Sequence, residues 1–212
     1  GIEIIKNHPT TLKQRIYSDG KQVARLDTEK IIDWTSSFLS NNLKHYDTCI
    51  LSDYNKGVIK NANIDMNILI VDPKKEDFSL YKNAHIITPN LNELQRATKI
   101  KIQDDKSLID ACNELIAKYN FNYIVAKKGS KGMTIVGKNS FVKHIKANSV
   151  DHPDVTGAGD TVIAALSIAY AKTQDIELSA RFANNAAATA VSKSGTATVT
   201  IDEINNYIGL NI

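Results

Sequence analysis

Residues 154–170, Asp-Val-Thr-Gly-Ala-Gly-Asp-Thr-Val-Ile-Ala-Ala-Leu-Ser-Ile-Ala-Tyr, constrain the chain more than any other stretch. Gly157, Ala158 and Gly159 lead into a run from Val162 to Ala169 that is apolar apart from Ser167, which predicts a buried helix starting near Ala158. A loop with almost no side chains therefore ends in a helix N-terminus. Free N–H groups and the positive end of the helix dipole make such a terminus an anion site, and a phosphate can touch this backbone directly. Asp160 sits inside that positive field. Its carboxylate can serve as a first-turn dipole partner, or it can take a proton from a hydroxyl attacking a bound phosphate.

A chain of 212 residues can bury a core as one domain, and 42% hydrophobic with 23% charged residues fits a globular protein. The net charge of +3 comes from 26 basic and 23 acidic residues that are interspersed rather than blocked. This argues against nucleic-acid or membrane partners. No apolar stretch approaches a bilayer span and the first residues carry no signal-peptide core, so a cytoplasmic location is expected. Residue 1 is Gly rather than Met, which reads as a processed or truncated start. Cys49 and Cys112 form no CxxC or metal spacing and are expected as buried, reduced thiols; the five histidines are equally scattered.

Residues 11–17 and 22–26 alternate around Ser18-Asp19-Gly20-Lys21, the pattern of a hairpin. A helix capped by Asp27 or Thr28 should follow, with Ile31, Phe38, Leu39 and Leu43 on its apolar face. Strands at 46–51, 67–71 and 84–87 each close on a polar group: Ser52 to Gly57, Asp72-Pro73-Lys74 and Thr88-Pro89-Asn90. Helices at 91–97 and 104–119, a strand at 123–126, an edge pair at 133–136 and 141–146, and a second late helix at 180–191 complete the pattern, with 201–208 closing the chain. Alternating strands and helices predict an α/β fold whose mostly parallel sheet is covered on both faces, with ligands at the strands' C-terminal ends.

Asn90-Leu91-Asn92-Glu93 opens a helix, so Asn90 and Glu93 suit a capping box. They also suit a magnesium–phosphate end in which Glu93 orders a metal-bound water and Asn90 meets a phosphate. The run Lys128-Gly129-Ser130-Lys131-Gly132 is a turn and not a Walker A loop. Asn184 can meet an adenine edge or cap a packing face. Asp53, Lys56, Asp72 and Lys74 can form a charged rim or a sugar-phosphate pocket, and spacing alone decides neither.

Taken together, Asp154 to Thr161 and Thr88-Pro89-Asn90-Leu91-Asn92-Glu93 resemble the two signature motifs of the ribokinase-like (PfkB) sugar kinases. Arg25-Leu26-Asp27, Leu51 to Gly57, Val71 to Lys74, Phe182-Ala183-Asn184, Ala186 to Ala188 and Gly195 to Val199 narrow the likeness to the heptose 7-phosphate kinases of the ADP-heptose pathway. Asn55 stands where these kinases commonly have Gly. The resemblance implies a three-layer ribokinase-like sheet with a small β-hairpin lid over residues 11–26. It implies that residues 1–212 form the C-terminal part of such a kinase domain, without the family's N-terminal portion and adenylyltransferase domain.

By the same likeness, MgATP phosphorylates C1 of D-glycero-β-D-manno-heptose 7-phosphate. Asp160 takes the hydroxyl proton and the amides of Gly157, Ala158 and Gly159 hold the transferring charge. Asn90, Leu91, Asn92, Glu93, Gly129 and Asn184 lie on the nucleotide side, with Glu93 at Mg2+. Arg25, Asp27 and Lys56 lie on the sugar-phosphate side, and lids of this kind clasp between the subunits of a homodimer. Another sugar kinase of the family, ribokinase-like or fructokinase-like, and a non-catalytic nucleotide-binding fragment are the alternatives.

Overall fold

The computed structural model describes residues 9–19, 21–31, 43–59, 64 and 66–206. Two antiparallel strands come first, β1 (Leu12–Ser18) and β2 (Lys21–Thr28), paired in register from Leu12↔Thr28 to Ser18↔Lys21 with an irregularity at Ile16/Tyr17. The helix expected after Thr28 falls largely on residues 32–42, outside the described residues. Leu43 belongs to a short 3-10 turn, Leu43–His45.

A six-stranded sheet follows in sequential order: β3 (Cys49–Ser52), β4 (Leu69–Asp72), β5 (Ile86–Ile87), β6 (Tyr123–Lys127), β7 (Met133–Gly137) and β8 (Phe141–Ile145). β3 to β6 pair parallel, whereas β6–β7 and β7–β8 are antiparallel, so the expected edge pair sits at the sheet's far side. The turn between β6 and β7 requires Gly132. Its φ is +86° and a Cβ there would lie 2.1 Å from the Ile145 carbonyl oxygen.

Side chains along each strand alternate between the two faces, and the two helical layers use that alternation. α1 (Leu91–Thr98) and α2 (Asp105–Tyr119) cover one face. There Leu94, Leu108, Leu115 and Phe121 pack with Leu69, Val71, Ile87 and Ile124. α3 (Ala158–Thr173) and α4 (Ile176–Val191) cover the other, where Val162, Leu166, Ala180 and Ala183 meet Ile70, Ile86, Val125 and Ile135. A short α5 (Ile201–Asn206) packs Ile204 against the same cluster. This is the three-layer α/β architecture, with the hairpin as a separate sheet.

The α3 run is buried where α4 and the sheet press on it, while Ile168, 63% exposed, stands on its outer face. The hairpin is the opposite case. Leu12, Ile16, Ala24 and Leu26 share one of its faces by register, yet every residue of β1 is exposed. Cys112 is fully buried and its thiol is pushed up to about 12 by burial. Cys49 departs from expectation: it is only half-buried, because β3 is the first strand of the sheet and the described residues leave one of its edges uncovered.

Candidate active site

The C-terminal ends of β3, β4, β5 and β6 come together at one sheet edge, where an open α/β sheet presents its ligand groups. Asp72 ends β4 and Lys127 ends β6. Asp72 is 3% exposed and accepts hydrogen bonds from Lys127 Nζ at 2.5 Å, Lys74 Nζ at 3.0 Å and Thr88 Oγ1 at 3.3 Å. Lys74 reaches on to Glu93, its Nζ 2.9 Å from Oε1. Two buried carboxylates are thus held by two ammonium groups, which offsets the cost of burying them. Burial alone would pull the Lys74 ammonium down, but its bonds to Glu93 and Asp72 outweigh that and hold its pKa above the usual range.

Glu93, 2% exposed, also closes the start of α1. Its Oε2 accepts from the Asn90 N–H at 2.7 Å while Asn90 Oδ1 accepts from the Glu93 N–H at 2.9 Å, a complete capping box. Asp53, just past β3, is buried as well. It accepts from Tyr81 Oη at 2.6 Å and the Asn55 N–H at 2.7 Å, with Lys75 Nζ 3.6 Å away. Neither Asp53 nor Asp72 is therefore part of an exposed charged rim.

Against this edge stands the start of α3. Gly157 is its N-cap, at φ +77°, and no side chain caps the helix. The Thr161 N–H returns to Gly157 O at 3.0 Å, and the Ala158 N–H makes a long bond to Val155 O at 3.3 Å. Among the described residues the N–H groups of Gly159 and Asp160 have no backbone partner, so the amides best placed for an anion run one residue further than the sequence suggested. Asp154 braces the loop, accepting from the Thr156 N–H at 3.0 Å and the Gly195 N–H at 2.7 Å. A bond from the Thr156 side chain, then those from the Gly195 and Thr156 N–H groups, hold its carboxyl below the ordinary range, and the charge of Arg15 on the hairpin adds to the effect.

Two contacts tie the loop to the sheet edge. Tyr54 Oη donates to Asp160 Oδ1 at 2.7 Å, and Lys127 Nζ lies 3.7 Å from where a Cβ on Gly159 would stand. Asp160 itself is exposed. A proton acceptor, uncapped amides and an ammonium thus face one another.

The other residues singled out from sequence are more spread. Leu91 packs partly on the core, and Asn92 joins Asn90, Gln95, Arg96 and Lys99 around an open cavity on α1. Gly129 begins a 3-10 turn, Gly129–Lys131, just past β6. Asn184 is buried and donates to Lys146 O at 3.1 Å, holding the segment after β8. Its neighbour Asn185, 4% exposed, accepts from Asn148 Nδ2 at 2.7 Å, and its own Nδ2 has no partner. Arg25 and Asp27 pair with each other at 2.9 Å on β2, and Lys56 pairs with Glu29 at the hairpin's base. Sequence reasoning did not assign roles to Tyr54 or Lys127. The available signal was weak: polar residues at strand C-terminal ends.

The donor set discriminates between modes of metal binding. Among the described residues no three His, Cys, Asp or Glu side chains gather as ligands, and both Glu93 oxygens already accept protein hydrogen bonds. A carboxylate so engaged suits a magnesium ion held through water, which that ion prefers, better than direct ligation.

A model of the "pfkB family carbohydrate kinase" matches residues 5–203 of the chain. The Bifunctional protein HldE of Aliarcobacter butzleri is 39% identical over 217 residues, 95% of this chain and 45% of the relative's own length. That of Helicobacter pylori is 34% identical over 96% of this chain and 48% of its own. The chain thus spans about half the length of the curated relatives it matches. Among solved structures, Arabidopsis thaliana ribokinase complexed with ribose and ATP superposes with a TM-score of 0.66 at 22% identity, over 78% of this chain and 56% of that one. Escherichia coli phosphofructokinase-2 gives 0.61 at 20% identity, over 72% and 47%. These neighbours share the fold.

Proposed function

The chain belongs to the pfkB family of carbohydrate kinases, and from that premise we propose that it carries the phosphoryl-transfer centre of an ATP-dependent kinase for D-glycero-β-D-manno-heptose 7-phosphate. The observation that carries the reading is the uncapped start of α3, with Asp160 at its third helical position and the Lys127 ammonium beside Gly159. The choice of sugar rests on the motifs at 51–57 and 71–74, which are similar to those of heptose 7-phosphate kinases.

In the reaction the C1 oxygen bonds to the γ-phosphorus while the bond from that phosphorus to the β–γ bridging oxygen breaks and ADP leaves. Asp160 accepts the proton given up by the hydroxyl. Charge on the transferring group falls on the amides of Gly157, Gly159 and Asp160 and, more weakly, on that of Ala158. Preorganised donors of this kind are worth about 3–4 kcal/mol each at a developing anion. Asn90 and Glu93 would hold the magnesium–phosphate end through water. When bound, the ion neutralises charge shared by the β- and γ-phosphates. Arg25, Asp27 and Lys56 supply the sugar-phosphate side, while Leu91, Asn92, Gly129 and Asn184 border the nucleotide. The apolar face of the hairpin pairs two copies into a homodimer, and a cytoplasmic location fits the use of ATP.

The test is a coupled ADP-release assay with heptose 7-phosphate, ribose and fructose 6-phosphate, run on the chain and on the longest reading-frame product that contains it. Magnesium-dependent turnover confined to the heptose, with the new phosphate at C1, is the expected result. Equal rates on all three sugars would remove the heptose assignment, and ATP binding without turnover in either protein would remove the kinase assignment.

A further inference from the structure

Asp160 and Glu93 occupy the same position in their helices, the third, yet only Glu93 is locked by its own N-cap. An exposed carboxylate on a short side chain has several staggered orientations open to it. Asp160 is held instead from a distant part of the chain: Tyr54, 106 residues away in sequence, donates its hydroxyl to Oδ1 at 2.7 Å. No other described side chain bonds to Asp160. The tyrosine is itself well anchored. It follows the buried Asp53, whose Oδ1 takes the Asn55 N–H at 2.7 Å while Oδ2 takes Tyr81 Oη at 2.6 Å. Positive φ at Asn55 (55°) and Gly57 (88°) then turns the chain away.

We propose that Tyr54 is a positioning residue for phosphoryl transfer: its phenol fixes one oxygen of Asp160 so that the other is free and aimed for the sugar hydroxyl. This rests on the kinase reading above and adds a residue to it. A donor bonded to an ionised acceptor is stronger than a neutral pair, and the contact spans the gap between sheet edge and cradle. The phenol also stays protonated for the task. Its bond to Asp160 is the chief cause holding the Tyr54 pKa above the usual tyrosine range, with burial second.

The experiment has two arms. In the first, kcat and KM are measured for Tyr54→Phe, Asp160→Asn and the double variant in the longest reading-frame product containing the chain. Tyr54 is 46% exposed, so its hydroxyl can be removed without a cavity. Tyr54→Phe should lower kcat about ten-fold, the scale of a lost hydrogen bond to a charged group, with KM for ATP unchanged. The double variant should be no slower than Asp160→Asn alone. Wild-type kcat in Tyr54→Phe, or a rise in sugar-independent ATP hydrolysis, would overturn the proposal; the latter would make the phenol a plug in the acceptor's place.

The second arm needs no turnover. With 13C-labelled tyrosine, NMR should show Tyr54 ionising at a higher pH in the wild type than in Asp160→Asn. Identical titrations would overturn the pairing whatever the kinetics show. A displaced titration in a protein that phosphorylates no sugar would support the pairing and sink the kinase reading instead.

Discussion

Two helices begin at the same sheet edge and solve the same problem differently. α1 and α3 each leave their first N–H groups without helical partners, and each carries an acid at the third position. At α1 the solution is internal: Asn90 and Glu93 exchange hydrogen bonds, Lys74 covers the second oxygen of Glu93, and the carboxylate is buried. At α3 Gly157 offers no side chain, and Asp160, one methylene shorter than glutamate, stays exposed and meets Tyr54. The difference teaches where chemistry can occur. A capped terminus spends its dipole and donors on folding, whereas an uncapped one brought against an ammonium keeps them for a ligand.

The largest effect should come from removing the proposed proton acceptor. Asp160→Asn should slow turnover by ~10²–10⁴-fold, the range for loss of a general base, while ATP binding stays nearly intact. Asp160→Glu sharpens the comparison, since the longer acid can fold back onto the Gly157 N–H as Glu93 does onto Asn90. Its turnover should fall towards that of Asp160→Asn with thermal stability equal or higher. Wild-type turnover in the glutamate variant would show that reach is not what separates the two acids.

Next comes Gly159→Ala. The new methyl would stand 3.7 Å from Lys127 Nζ, an ordinary contact, so the fold should gain about 0.5–1 kcal/mol from replacing a helical glycine. The same methyl intrudes between ammonium and cradle, so kcat should drop as the melting temperature rises. A parallel rise in both would remove Lys127 from the phosphate's surroundings.

Opening the closed helix should cost stability instead. Asn90→Ala should lower unfolding free energy by about 1 kcal/mol, the usual loss for an N-cap, by denaturant titration. Glu93→Gln keeps the reach to the Asn90 N–H, so its helix should survive while the magnesium requirement rises, because a charge near the ion's water shell is gone. An unchanged magnesium titration would leave Glu93 a purely structural residue.

The smallest difference is in pH response. Asp154 has a depressed pKa, so the stability it contributes is present above the ordinary carboxylate value of about 3.9 and is lost as pH falls through its lower folded value. Lys74 has a raised pKa, so its contribution is present below the ordinary lysine value of about 10.4 and is lost as pH rises through its higher folded value. Acid should therefore loosen the α3 loop first, and alkali the Lys74 cluster beneath α1. Amide exchange at Thr156 and Gly195 against that at Asn90 measures the order; the reverse order would contradict it.

Local physics made much of this legible in advance. The small-residue loop and apolar run placed the start of α3 at Ala158, and Asn90 with Glu93 three residues later announced a capping box; both needed only neighbouring residues. Strand ends and the antiparallel edge pair followed from alternation and turn residues. The convergence of Lys127 on Asp72, and of Tyr54 on Asp160, was not legible. Those pairs are joined by strand order, and the Lys127–Asp72 contact spans 55 residues. The hairpin shows the same limit from the other side. Its register was readable, and Leu12, Ile16 and Leu26 stand exposed on one face of it among the described residues. Light scattering tests the proposed clasp between copies, and a strict monomer at high concentration would remove it.

On the proposed mechanism the uncapped start of α3, rather than the capped start of α1, receives the transferring phosphoryl group. The most direct measurement of this is an amide 1H–15N NMR titration with magnesium and a non-hydrolysable ATP analogue. The account predicts that the Gly157, Gly159 and Asp160 amides move furthest, while the Asn90 and Glu93 amides, already bonded within their box, move little. Saturable binding that leaves the Gly157–Asp160 amides in place would contradict it.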